Sequence, residues 1–94
     1  MAESPMIRKL VIYQGHVQGV GFRMTARRVA AGFQVTGYVR NLPDGRVELV
    51  AEGSQGEVQR FLERVRATMA DYVRRADEHL SSATGEFERF TIES

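Results

Sequence analysis

Between positions 15 and 23 the chain reads Gly15-His16-Val17-Gln18-Gly19-Val20-Gly21-Phe22-Arg23, with three glycines in seven positions and an arginine two residues after the last. Glycines so spaced let the backbone curl and turn several N–H groups into one concavity. At the start of a helix such a nest binds anions, because the unpaired amides and the helix dipole both favour negative charge there. Arg23 falls on the first turn of that helix, where its planar five-donor fork suits a phosphate in bidentate fashion. The stretch therefore reads as a phosphate-binding loop. It is not the loop of nucleotide hydrolases, which needs Gly-Lys-Ser/Thr where this chain has Gly21-Phe22-Arg23. Magnesium and a nucleotide are not implied.

The elements around the loop follow from periodicity. Ile7 to Tyr13 is apolar and β-branched, as expected for a central strand. After the loop, Phe22, Ala26, Val29, Ala30 and Phe33 fall on one face of a helix, with Gly32 placed to cap its end. Val35 to Arg40 and Arg46 to Glu52 read as a second and a third strand. Leu42-Pro43-Asp44-Gly45 supplies the hairpin turn, with Asp44 shaping it. In the third strand Val47, Leu49 and Ala51 alternate with Arg46, Glu48, Val50 and Glu52, giving one buried and one mostly polar face. Ser54-Gln55-Gly56-Glu57 matches a capping box, and Val58, Phe61, Leu62, Val65 and Met69 follow at helical spacing. A fourth strand is expected within Tyr72 to Leu80, at an edge because its alternation is weak, with Arg74 and Arg75 in solvent. A short fifth is expected within Phe87 to Ile92.

That order, β-α-β-β-α-β plus a terminal strand, predicts an α+β ferredoxin-like sandwich: an antiparallel sheet of order 4-1-3-2 under two helices. The fifth strand is expected beyond strand two. Ninety-four residues make one domain, assigned to 6–94, with 1–5 as a disordered tail. The apolar share of 43% and charged share of 27% are those of a globular domain. The absence of cysteine excludes disulfides and thiolate metal sites, and His16 and His79 are too far apart in sequence to suggest zinc. A net charge of +1 argues against a dedicated nucleic-acid binder. With no membrane-spanning run and no apolar signal core, a cytoplasmic monomer is the expectation.

Two motifs make the chain similar to the acylphosphatase family over nearly its whole length. The first is G-x-V-Q-G-V-x-F-R, filled at every specified position from Gly15 to Arg23. The second is Gly37-Tyr38-Val39-Arg40-Asn41 followed by Gly45-Arg46-Val47 and Gly53. Tyr13 departs from the family's usual aliphatic residue, which implies a packing change. Ala67 to Tyr72 lacks the usual Gly-Pro-rich connection, which affects the boundary of the fourth strand. The resemblance implies hydrolysis of small acyl phosphates to a carboxylate and inorganic phosphate, without metal or cofactor. It implies that Arg23 binds the phosphoryl group and Asn41 positions the attacking water. The amides of His16, Val17, Gln18, Gly19, Val20, Gly21 and Phe22 would complete the cradle.

Topology brings the same residues together. Strands one and two of a split β-α-β unit run parallel with strand three between them, so the glycine loop and Asn41 lie at one end of the sheet, roughly 10 Å apart. Other functions share parts of this pattern. RNA-recognition modules have the same element order but stack bases on aromatics of the third strand; Arg46 to Glu52 has no aromatic and two acids. Acylphosphatase-like domains also head larger carbamoyl-phosphate-handling proteins, which carry zinc-binding segments that this sequence lacks. A sensor that binds phosphate without hydrolysing it is separable only by assay.

Overall fold

A computed structural model of the chain describes residues 5–94. Apart from Pro5, the expected tail lies outside the described residues. The elements are β1 (Met6–Gly15), α1 (Phe22–Ala30), β2 (Thr36–Asn41), β3 (Val47–Ser54), α2 (Gln55–Thr68), β4 (Val73–Ser82) and β5 (Phe90–Glu93). The sheet order is β4-β1-β3-β2-β5, with β5 added parallel to β2 and every other pairing antiparallel. This is the expected ferredoxin-like arrangement, fifth strand included. No helix among the described residues is long and apolar enough to cross a membrane.

Alternation in the strands decides which residues meet the helices. Val11 and Tyr13 of β1, Val39 of β2, and Val47, Leu49 and Ala51 of β3 are buried against Phe22, Ala26 and Ala30 of α1 and Val58, Phe61, Leu62 and Val65 of α2. Each large side chain buried this way contributes on the order of 2 kcal/mol of transfer free energy. The Ser54 hydroxyl caps α2 by accepting from the Glu57 amide at 3.3 Å. The Glu57 carboxylate does not close the box; it accepts instead from the Gln34 amide at 2.8 Å and so ties α2 to the approach to β2.

Two expectations need correction. Gly32 does not cap α1: Ala31 ends the helix in right-handed geometry, and the chain leaves through tight turns from Gly32 to Val29 and from Phe33 to Ala30. The second face of β3 is also less polar than its residue types suggest, because Val50 is fully buried and Glu52 is only 3% exposed. The segment between β4 and β5 crosses this face. Its Thr84 and Gly85 amides donate to Glu52, at 3.0 Å each. Its Phe87 ring lies 5.9 Å from Tyr38 and beneath the Arg8 guanidinium.

Candidate active site

The loop from His16 to Gly21 is held by its ends and by two of its side chains. Gly15 closes β1 at φ +131°, where a Cβ would stand 2.4 Å from the Tyr72 carbonyl oxygen and 2.7 Å from the Arg74 nitrogen. Only glycine fits so close an approach at that φ. The His16 amide then donates to the Tyr72 carbonyl at 3.0 Å. Val17 drops into the core at 1% exposure. At the far end Gly21 takes the left-handed N-cap of α1 (φ 77°, ψ 21°), with no side-chain cap. Tyr13 packs on Phe22 with ring centroids 4.8 Å apart, so the aromatic that replaces an aliphatic braces the two ends of the loop from below.

Gln18 points sideways. Its Nε2 gives one hydrogen to the Leu42 carbonyl at 2.8 Å and the other to the Arg46 carbonyl at 2.9 Å. These carbonyls belong to the β2–β3 turn, where Leu42 N also donates to Arg46 O and Gly45 N to Leu42 O. Asp44 shapes the same turn, accepting from the Arg46 amide at 3.1 Å and from its Nε at 2.8 Å. Gln18 thus ties the loop to the hairpin that carries Asn41. The sequence placed Gln18 in the loop through its amide and gave no sign of the carboxamide's task.

With side chains directed inward or sideways, the main-chain N–H groups are left over. Among the described residues the amides of Val17 through Met24 donate to no protein acceptor. His16 has already given its amide to Tyr72, so the loop's free donors begin at Val17. The first three residues of α1 contribute because a helix start leaves its N–H groups unpaired.

Arg23 is half-buried on the first turn of α1 and forms no ion pair or hydrogen bond with a described residue. Asn41 ends β2 on the same side of the strand as the fully buried Val39, the side the helices cover. Its carboxamide likewise has no partner among the described residues. Val17, Gly19, Gly21, Phe22, Arg23, Met24 and Asn41 line one cavity of about 120 Å³. A water occupies about 30 Å³ of liquid, which leaves room for a small tetrahedral anion. His16 and Val20 are not among the cavity's lining residues; the His16 ring is exposed, 6.5 Å from that of Tyr72. A larger cavity of about 310 Å³ lies between α2 and the β1–β4 edge, where Lys9 already pairs with Glu78 at 2.8 Å. Its Arg66 is also unpaired among the described residues but shares the lining with the Glu63 and Glu78 carboxylates, whereas no carboxylate lines the smaller cavity, so chemistry and not size singles out the smaller one.

A family model described as acylphosphatase matches residues 9–92. The chain belongs to the acylphosphatase family. An acylphosphatase of Methylococcus capsulatus is 44% identical over 88 residues, which is 93% of this chain and 96% of that protein. One of Syntrophus aciditrophicus is 42% identical and covers 93% of each chain. The crystal structure of acylphosphatase from Bacillus subtilis superposes with a TM-score of 0.84 at 32% identity, over 94% of this chain and 99% of that one. The chain is accordingly an acylphosphatase in activity, a hydrolase. Both family motifs read in the sequence converge on the cavity: Arg23 from the first and Asn41 from the second.

Proposed function

We propose that the chain hydrolyses small acyl phosphates by the attack of water on a phosphoryl group seated in the Arg23–Asn41 cavity. One observation carries this reading: consecutive unpaired amides and an unpaired guanidinium face a carboxamide that is itself unpaired. The amides from Val17 to Phe22 and the Arg23 fork hold the phosphoryl oxygens. Phosphoryl transfer is mostly positioning and charge stabilisation, and these donors supply both without a metal ion. Asn41 orients a water in line with the bond to be broken. As the water oxygen bonds to phosphorus, the bond from phosphorus to the acyl oxygen breaks and the carboxylate leaves with the electron pair. A carboxylate is stable enough to leave without a general acid. The water's proton passes to a phosphoryl oxygen, since Asn41 is not a base. All these groups come from one chain, so the reading needs neither a second copy nor a cofactor.

The test is release of benzoate from benzoyl phosphate with a metal chelator present. The expected result is turnover equal to that without chelator; loss of turnover overturns the metal-free mechanism. A pH–rate profile completes it: His16→Ala should leave its shape unchanged, and disappearance of a limb near neutrality would make His16 the proton acceptor.

A further inference from the structure

Once the phosphoryl group and the water have taken the amides, Arg23 and Asn41, little of the cavity remains for the rest of the substrate. Of the seven lining residues the only other long side chain not buried in the core is Met24, 51% exposed at the third position of α1. Its neighbours along the helix explain why it stays outside: Phe22, Ala26 and Ala30 are the residues that turn inward. The thioether therefore borders the cavity with no role in the core. Arg23 is the sole charged residue in the lining. An acyl group with a second negative charge meets no cation of its own there, and an uncharged apolar one meets a flexible, polarisable surface suited to irregular apolar shapes. The same lining has no cation beyond Arg23 to detain the carboxylate once it has formed.

We propose that Met24 is a specificity-determining contact for the acyl group and biases the site toward uncharged, apolar acyl phosphates. This rests on the reading of the cavity as the hydrolytic site. Contact with an apolar group in a partly open site is worth about tenfold in kcat/KM. The conservative partner for the test is leucine, which keeps apolar volume, whereas alanine removes it.

The experiment measures kcat/KM for benzoyl phosphate and acetyl phosphate in the unaltered chain, in Met24→Ala and in Met24→Leu. The benzoyl-to-acetyl ratio should fall about tenfold in Met24→Ala and remain within about twofold of its original value in Met24→Leu. An unchanged ratio in Met24→Ala overturns the proposal, as does an equal fall in both variants. Failure of the unaltered chain to hydrolyse either compound would instead overturn the hydrolytic reading. Because Met24 is exposed, both variants should keep the circular-dichroism spectrum of the unaltered chain, which excludes misfolding as the cause of a changed ratio.

Discussion

Two arrangements of backbone amides among the described residues differ in whether they are filled from within. Behind the sheet, the Glu52 carboxylate accepts from the Thr84 and Gly85 amides, from the Thr84 hydroxyl at 2.9 Å and from Arg8 at 3.3 Å. Gly85 stands there at φ +74°, and Gly19 and Gly21 of the loop both stand at φ +77°. Each arrangement combines left-handed glycine, successive N–H groups and one arginine, a known recipe for holding an anion. In the first the anion is part of the chain and the result is structure: a ten-residue edge strand and the segment after it are fastened to the sheet. In the second the chain withholds the anion and spends its own side chains, Val17, Gln18 and Phe22, on fixing the loop. The fold can satisfy such a nest from within, and in the proposed mechanism the loop's unpaired donors serve the phosphoryl group of the substrate.

Substitutions at the two seats should act on different properties, activity at the loop and stability behind the sheet. Arg23→Ala should lower kcat/KM for benzoyl phosphate by about 10³-fold with the melting temperature unchanged, since Arg23 has no partner to lose. Asn41→Ala should lower kcat by about 10²-fold and leave inhibition by inorganic phosphate nearly intact, because in the proposed mechanism it acts on the water. Turnover that survives Arg23→Ala, or phosphate inhibition that vanishes in Asn41→Ala, would contradict these roles.

Glu52→Gln should behave in the opposite way, destabilising the fold by about 2 kcal/mol in urea denaturation while kcat/KM stays within about twofold. Burial pushes the Glu52 carboxyl up, but the Thr84 and Gly85 amides, the Thr84 hydroxyl and Arg8 outweigh it and hold it below its ordinary value of 4.5. A lowered folded-state value means that this stabilisation is complete above the ordinary glutamate range and is lost as the pH falls below about 4.5. The acid limb of the stability curve should flatten in Glu52→Gln; an unchanged limb would show that the carboxylate does not carry it.

The smallest effect belongs to the tether between loop and hairpin. Gln18→Ala should lower kcat about tenfold and weaken phosphate inhibition less, because it frees the hairpin that carries Asn41 and leaves the amides in place. An equal loss in both would make Gln18 part of anion binding.

These regions also differ in how legible they are from the residues alone. The loop and its two key side chains are encoded locally: glycine spacing, an arginine on the next turn, and an asparagine at the end of a strand whose topology can be worked out. The strand order follows from element order and handedness, and the Ser54 cap from four adjacent residues. The Glu52 seat is illegible because its partners lie 32 and 33 positions away in a segment with no periodicity. Alternation in β3 marks Glu52 as outward, and nothing local says that the outward face is covered. Gln18 is legible as a motif position and a loop amide, yet the task of its side chain depends on two carbonyls across the fold. The unneeded Gly32 cap is the converse case, a correct local rule overtaken by the turns that carry the chain from α1 into β2.

The position of β3 between β1 and β2 has a consequence for how activity arises during synthesis. A nascent chain extended through Asn41 already carries every residue of the cavity, yet its two parallel strands have no hydrogen-bonded neighbour in common until β3 inserts between them. In the proposed mechanism the two halves of the site are held together only once β3 has paired with both strands, so turnover of an acyl phosphate is expected to report long-range sheet closure.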